Sequence, residues 1–215
     1  MSWYAAITKA GFHNISLKEQ SGFVLKKLNA QVLYDDKHAT FQHLTLVTNH
    51  SKVGNFISVS YPSVSSISKD VGELGVNADF DNTSVGVEDI LLFAQQLKTQ
   101  PVFTANRGRT VVFTGKLTGK LKDLTATALT AGIDTTTAIA LDAHIIGLPD
   151  ALNADYDINL KRLRTTASDL KKLTGGALPA SINLPQNIAL NGTVKGSIKN
   201  AAAKLSLQTS AGDAE

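Results

Sequence analysis

The chain has 215 residues, a net charge of +3, and a composition of 43% hydrophobic and 18% charged residues. This balance is typical of a globular protein and excludes a disordered one. The positive charge is not concentrated in the dense basic runs of nucleic-acid-binding proteins. No cysteine is present, so disulfides and thiolate metal sites are excluded. We find neither a signal peptide at the start nor a stretch approaching the ~20 apolar residues of a membrane span.

Alternation of apolar and polar residues predicts strands through most of the chain. The pattern is clearest in five segments: FVLKKLNAQVLY from Phe23, ATFQHLTLVT from Ala39, NFISVSYPSV from Asn55, TTTAIALDAHIIGLPD from Thr135 and DYDINLKRL from Asp155. About ten strands at a spacing of roughly a dozen residues indicate an antiparallel, meander-like sheet.

Two short helices interrupt the predicted strands. The first is expected over 86–98, with Ser84 as its N-cap and Pro101 preventing its continuation. The second has barely two turns, with Ser168 as a candidate cap and Gly175 available just after its end.

Two strands repeat one another. VVFTGKLTGKLKD begins at Val111 and IALNGTVKGSIKN at Ile188, and Gly192 lies 77 residues after Gly115. Each strand follows a helical run and a proline, which indicates an internal repeat of roughly 80 residues. A weaker echo of the helical run is SLKEQSGF, at 16–23. We therefore divide the chain into a partial repeat at 1–83, a repeat unit at 84–164 and a truncated second unit at 165–215, all in one continuous sheet.

One face of each repeated strand is apolar, and the opposite face of the first is rich in lysine. The apolar side chains are Val111, Phe113, Leu117 and Leu121 in the first strand and Ile188, Leu190, Val194 and Ile198 in the second. A helix is about 10 Å across and strands lie about 4.8 Å apart, so two short helices cannot cover about ten strands. Either the sheet closes on itself as a sandwich or barrel, or something other than protein occupies its apolar face.

The apolar faces also contain glycines at matched positions: Gly115 and Gly119 in the first strand, Gly192 and Gly196 in the second. Glycine within a strand costs stability and marks a bulge, a bend or a close approach. We interpret the four as residues that let the sheet curl into a trough, although barrel corners use glycine in the same way.

No arrangement of residues indicates catalysis. The histidines lack the spacing of metal ligands; they are His13, His38, His43, His50 and His144. There is no phosphate-binding loop and no nucleophile elbow. Turn chemistry and solvated faces account for Asp35–Asp36 and for Asp79 and Asp81. We therefore predict that the protein is not an enzyme and has no catalytic residues, metal site or cofactor.

The series of motifs resembles a segment from the N-terminal half of the TamB-like proteins of the AsmA superfamily, especially the versions found in Bacteroidota. The motifs are SLKEQSGFVLKKLNAQVLY, LTLVTNHSKV, SYPSVSSIS, VEDILLFAQQL, FTGKLTGKLKDL, GLPD, TTASDLKKLTGGALPASINLP and NGTVKGSIKNAAAKLSLQTSAGD. The resemblance covers roughly Gly11 to the end. Each motif alone is degenerate, and their serial order carries the specificity.

The resemblance implies a mostly β protein with an elongated, curled antiparallel sheet, U-shaped in section, and two short helices. Family members are anchored in the inner membrane, cross the periplasm and are thought to carry phospholipids to the outer membrane along the apolar inner wall. The eight apolar residues of the two repeated strands would then line the groove and contact acyl chains. Because the membrane anchor and the outer-membrane region of the family are missing here, we expect an internal fragment that contacts membranes only through those missing regions.

Two other functions stay open at this point. An older assignment of the family is assembly or secretion of autotransporter-type outer-membrane proteins, which would make the chain a scaffold that offers sheet edges to unfolded strands and meets an outer-membrane assembly protein. The chain could also be an inert β spacer. The conduit requires a continuous apolar face without charges, the scaffold an accessible edge strand, and the spacer a core closed by side chains.

Overall fold

A computed structural model describes residues 7–93, 95–151, 153–175, 184–209 and 212–214. They form one sheet of twelve strands that follow one another in chain order, and all neighbours are antiparallel. The strands are β1 (Thr8–Lys18), β2 (Val24–Tyr34), β3 (His38–Thr48), β4 (Lys52–Ser60), β5 (Gly75–Gly86), β6 (Thr110–Lys120), β7 (Asp123–Ile133), β8 (Thr137–Ile146), β9 (Asp155–Thr166), β10 (Asn187–Ser197), β11 (Asn200–Thr209) and β12 (Gly212–Ala214). The predicted mostly β, antiparallel fold is confirmed.

The described residues contain more helices than the two predicted. The α-helices are α1 (Ser66–Lys69), α2 (Val87–Phe93), α3 (Pro101–Ala105) and α4 (Ala167–Leu173), with 3-10 turns at Val71–Glu73 and Gln95–Thr99. The helix predicted over 86–98 is thus divided between α2 and a 3-10 turn. Pro101, expected only to end a helix, also begins α3, because the first position of a helix needs no backbone N–H donor.

The predicted helix boundaries were partly wrong. Ser84 lies within β5 and does not cap α2. The N-cap of α4 is Thr166 rather than Ser168, and its hydroxyl accepts a hydrogen bond from the Asp169 amide. The position of Gly175 is confirmed: it follows α4 with a φ of 61° and donates its N–H to the Lys172 carbonyl.

The weak helical echo at 16–23 was also wrong. Ser16 to Lys18 belong to β1, and the following residues form a turn closed by hydrogen bonds between Glu19 and Phe23 and between Gly22 and Glu19. Serine and glycine are also common in turns. This stretch is too short for its periodicity to distinguish a helix from the end of a strand and a turn.

A line of bulges crosses the sheet at mid-strand. The strands β1, β3, β5, β7 and β9 each insert one extra residue relative to their partners there. Four of the residues on this line have positive φ although they are not glycine, namely Asn14, His43, Asn55 and Ala128. Because a bulge bends its strand and increases its twist, a row of bulges bends the whole sheet along one line.

Polar side chains of neighbouring strands satisfy backbone groups that the bulges release. The Asn14 amide donates to Asn29 Oδ1 at 2.7 Å, and the Ala128 amide donates to Asp142 Oδ1 at the same distance. The bend is therefore built into the hydrogen bonding of the sheet rather than left as unpaired backbone.

The sheet is open rather than closed into a sandwich or barrel. Its order runs from β1 to β12, and these two described strands do not pair with each other. The solvent-accessible surface is 13401 Å², whereas a compact monomer of 22.8 kDa exposes about 9,600 Å². The described helices contact the sheet mainly where β5 and β9 end. Most of the sheet thus lacks a second protein layer among the described residues.

Candidate functional site

One row of apolar side chains crosses the sheet. Directly paired residues of antiparallel strands project from the same face, and the pairings join one apolar residue from each of the first eleven strands. We call this set the central row: Ala10, Val32, Phe41, Ile57, Ala78, Leu117, Ala126, Ala143, Ile158, Val194 and Ala203. No charge and no hydrogen-bonding side chain interrupts it.

Two flanking rows extend the same face. Both are free of charged residues. The first contains Thr8, Tyr34, Ala39, Val59, Val76, Gly119, Leu124, Ile145, Tyr156, Gly196 and Ala201. The second, on the other side of the central row, runs from β6 to β12 through Phe113, Ala131, Ile139, Leu163, Leu190, Leu207 and Ala214. We call the three rows together the apolar face.

The apolar face is shielded without being covered. Ala78 is 1% exposed and Ala126 is 4% exposed, while the larger Leu117, Ile158 and Val194 are half-buried. Small residues are shaded by larger neighbours, and a bent sheet turns its inner face toward itself. The face is therefore a partly sheltered apolar groove rather than a closed core.

The opposite face carries the charges. Lys195 Nζ contacts Asp157 Oδ2 at 2.7 Å, and Lys161 Nζ contacts Asp142 Oδ2 at 2.6 Å. We call this the polar face. At the nearby hairpin end, hydrogen bonds from two lysine ammonium groups lower the pKa of Glu73 to about 2. Water rather than hydrocarbon is the natural environment of these groups.

Each of the helices α2 and α4 is held to the sheet by an aspartate in its first turn. Asp89 of α2 accepts hydrogen bonds from the hydroxyls of Thr48 and Ser51, at the turn between β3 and β4. Asp169 of α4 accepts a hydrogen bond from Thr136, in the turn between β7 and β8. We call these arrangements the α2 clamp and the α4 clamp. They fix the helices at one end of the strands and leave the central row open.

The α4 clamp also includes an arginine side chain. Arg109 Nη2 lies 3.2 Å from Asp169 Oδ1, and the same guanidinium binds Asp134. The Thr136 hydroxyl, followed by Thr166 and Arg109, lowers the pKa of Asp169 despite its burial. The carboxylate is therefore ionised at neutral pH, as the arginine contact requires.

The structure brings six of the eight predicted lining residues to the same side of the sheet as the apolar face, and four of them lie within its rows. Leu117 and Val194 lie in the central row; Phe113 and Leu190 lie in a flanking row. The last two, on the same side of the same strands, are Val111 and Ile188. That these residues contact lipid stays a prediction.

The other two predicted residues lie in turns. Leu121 follows the end of β6 and Ile198 follows the end of β10. Ile198 is 62% exposed. The alternating pattern continued past the strand ends because a hairpin turn of two residues does not interrupt the period of two. Neither residue belongs to the rows of the apolar face.

The four glycines have backbone conformations that only glycine adopts readily. The φ angles of Gly115, Gly119, Gly192 and Gly196 are 139°, 117°, 142° and 112°. A Cβ on Gly192 would lie 2.0 Å from the Lys204 carbonyl oxygen, on the adjacent strand. The glycines thus allow close approach of neighbouring backbones. A Cβ on Gly115 would lie 2.8 Å from Leu129 Cα. Phe80, which pairs with Gly115 on the opposite side, packs its ring edge-on against Phe113 at 5.2 Å.

Sequence reasoning missed most of the central row. Its alanines, such as Ala78 and Ala126, have no strong apolar signal of their own. Phe41 and Ile57 belonged to predicted strands but had no assigned partner. The signal that unites them is the pairing register, which a single sequence does not contain.

Comparison of the chain with protein-family models, with curated proteins and with solved structures finds no match. Among the described residues, no helix is long and apolar enough to cross a membrane, and no group of three or more His, Asp or Glu side chains is placed to hold a metal ion. The shape and chemistry of the sheet are therefore the basis for any functional conclusion.

Proposed function

We propose that the protein is a segment of a lipid conduit of the cell envelope, in which phospholipid acyl chains move along the apolar face between the inner and outer membranes. The observation that supports this proposal is the central row, which stays apolar across eleven strands and has no covering layer in the described chain. The proposed location is the periplasm, with the full-length protein anchored to the inner membrane as the resemblance to the TamB-like proteins implies.

The energetics favour such a groove. Exposing a methylene to water costs about 0.8 kcal/mol, so a two-chain lipid that leaves a bilayer faces a cost on the order of 20 kcal/mol. An apolar face offsets much of this cost without chemical work or a cofactor. Eleven strands about 4.8 Å apart give the central row a length of about 48 Å. One bilayer leaflet has a hydrocarbon thickness of about 15 Å, so the row has room for several lipids in series.

The test compares aspartates on the two faces of the same strands. Leu117→Asp and Val194→Asp place a charge in the central row, whereas Thr118→Asp and Thr193→Asp place it on the polar face one residue away. We expect the purified chain, expressed in bacteria, to carry phospholipid in native mass spectrometry and lipid extraction. The two central-row variants should lose it, because a buried charge has no partner there.

The control variants should retain their lipid, and all four variants should keep the far-ultraviolet circular dichroism of a β-sheet. A lipid-free wild-type chain would contradict the conduit. Equal lipid loading in the Leu117→Asp and Thr118→Asp variants would show that the lipid is bound elsewhere.

A second candidate function is a scaffold for the assembly or secretion of outer-membrane proteins. It rests on β1, which is the first strand of the sheet, pairs with β2 alone among the described strands, and has all eleven residues exposed. Such an edge can accept an extended segment by backbone hydrogen bonding. Binding of unfolded outer-membrane strands that survives Leu117→Asp but is lost in Phe12→Pro would favour the scaffold over the conduit.

A further inference from the structure

An apolar cleft lies where α2 meets the sheet. It has a volume of about 230 Å³ and is lined on its apolar side by Phe23, Leu46, Val53, Val85 and Ile90. We call it the α2 pocket. An apolar cavity of about 150 Å³ is enough to bind benzene, so the α2 pocket has room for a small hydrocarbon segment.

The two hydroxyls of the pocket wall are already bonded to one oxygen of Asp89. The Ser51 hydroxyl donates to Asp89 Oδ2 at 2.5 Å, and the Thr48 hydroxyl donates to the same oxygen. The Ser51 hydroxyl also accepts the Gly86 N–H at 3.1 Å. A polar ligand would have to break these bonds to gain its own, so the wall favours an occupant that forms no hydrogen bonds.

The pocket is continuous with the apolar face. Leu46 and Val53 line the pocket and also pack against the buried cluster of Ala30, Val32 and Leu44. The same cluster contacts Phe41 and Ile57 of the central row. A hydrocarbon chain that lies on the central row therefore reaches the α2 pocket without crossing a polar surface.

The corresponding corner at α4 lacks such an apolar wall. Thr165 precedes α4 by two residues, as Val85 precedes α2, and its hydroxyl is bonded to that of Thr137 at 2.8 Å. Both threonines are buried. A buried hydroxyl pair replaces the methyl groups there, so the two corners of the sheet are not equivalent for a hydrocarbon.

We infer that the α2 pocket is a holding site for the methyl end of an acyl chain, which pauses a lipid on the groove with its headgroup directed away from α2. This inference rests on the proposed function for the origin of the lipid. The pocket itself can be tested independently of the groove, because it should also bind a short free hydrocarbon.

The first experiment uses n-hexane and methyl NMR of the whole chain. Hexane should shift the methyl signals of Leu46, Val53, Val85 and Ile90 before others on the apolar face. Val85→Phe fills the pocket and should weaken hexane binding on the order of tenfold, since each excluded methylene costs about fourfold in affinity. The matched control is Val112→Phe, which adds the same ring to the polar face and should leave hexane binding unchanged.

Ile90→Phe fills the pocket from the helix side and provides a second test if Val85→Phe does not fold. Shifts spread evenly over the apolar face, or hexane binding that neither filling variant reduces, would overturn the pocket as a site. This result would leave the conduit intact if the central-row aspartates still abolish phospholipid loading.

The second experiment tests the orientation of the chain with stearate that carries a doxyl spin label. A label on carbon 16 should broaden the pocket methyl signals strongly, and a label on carbon 5 should broaden them several-fold less. Equal broadening by the two labels would overturn the holding site for a methyl end. Failure of phospholipid to load, together with hexane binding in the pocket, would instead overturn the conduit and leave an isolated hydrocarbon site.

Discussion

The corners of the sheet at α2 and α4 are built on the same plan with different interiors. In each, an aspartate of the first helical turn accepts hydroxyl hydrogen bonds from the hairpin turn two strands earlier. Behind the α2 clamp lies an apolar pocket, whereas the α4 clamp has a buried threonine pair and an arginine that joins two carboxylates. The aspartate clamp, which both corners share, fixes the helix to the sheet. The side chains behind the clamp differ, and they determine what kind of group each corner can bind.

The two corners share the clamp and differ behind it because the clamp residues and the residue two before the helix are under different constraints. A buried carboxylate is stable only with hydrogen-bond partners, so the clamp constrains the residues of the turn as well as the helix. The residue two before the helix takes no part in the clamp: Val85 needs no hydrogen-bond partner, and the buried hydroxyl of Thr165 finds its partner in Thr137. Val85 and Thr165 have nearly the same shape, and either one packs at this place. The corner is therefore free to change between apolar and polar without losing its anchor.

The largest expected effect is the loss of stability when alanine replaces the matched glycines of the two repeated strands, β6 and β10. Gly115 and Gly192 have φ angles of 139° and 142°, and a Cβ would lie 2.8 Å and 2.0 Å from backbone atoms of the next strand. We expect Gly192→Ala to lower the free energy of unfolding by about 3 kcal/mol or more, and Gly115→Ala somewhat less, because strain and overpacking combine. Urea denaturation measures both.

The control for this comparison is Gly22→Ala. Gly22 also has a positive φ, 95°, but a Cβ added there would meet no heavy atom of the described residues within 4 Å. The substitution should cost only about 1 kcal/mol, the cost of the backbone conformation alone. Equal losses at Gly22 and Gly192 would show that close approach of the strands does not matter.

An effect of intermediate size is the loss of stability when the carboxylate of the α4 clamp is removed, and this loss should depend on pH. Hydrogen bonds, first from Thr136, lower the pKa of Asp169. A group with a depressed folded-state pKa stabilises the protein above its ordinary pKa near 4 and loses this contribution as the pH falls through the lower, folded value. We expect Asp169→Asn to cost about 2 kcal/mol at pH 7. The loss should shrink as the pH falls through this lower pKa of Asp169.

Urea denaturation of the wild type and Asp169→Asn between about pH 2 and pH 7 checks this expectation. Asp89→Asn makes the same change at the α2 clamp, where no arginine is bonded to the carboxylate among the described contacts. A constant difference between wild type and Asp169→Asn over the whole range would contradict an ionised Asp169 as the source of the stability.

The smallest expected effect is the change in stability when valine replaces threonine at the α4 corner, which makes this corner more like the α2 corner. Thr165→Val alone removes one partner of the buried Thr137–Thr165 hydrogen bond and should cost about 1–2 kcal/mol. The double variant Thr137→Val with Thr165→Val removes both hydroxyls with little change of shape and should cost less than the single variant. Thermal unfolding of the four proteins in the cycle provides the coupling energy.

The same double variant sharpens the functional side of the comparison. If an apolar wall is what makes a hydrocarbon site, new hexane-induced shifts should appear at Ile133 and Ile188, which flank the converted threonines. Additive losses in the cycle would mean that the two hydroxyls do not interact, and the contrast between the corners would then rest on shape alone.

Much of the local structure was predictable from residue patterns. The period of two identified the strands, and the 77-residue spacing placed Leu117 and Val194 at equivalent positions, which the pairings put in one row. The helical prediction was less accurate: Ser84 was assigned to a cap but continues β5, since serine is compatible with either role. Short helices have too few turns for their period to outweigh such local ambiguity.

The amino-acid sequence by itself determined that the protein is a β-sheet with one apolar and one polar face and with glycines where strands approach closely, because side-chain alternation and backbone permissiveness are local properties. Only the tertiary structure decided that the sheet stays open, that its bulges align, and that eleven strands join their apolar residues into one row. These features depend on pairing register between distant residues, and a slip of one residue would turn each apolar side chain to the polar face.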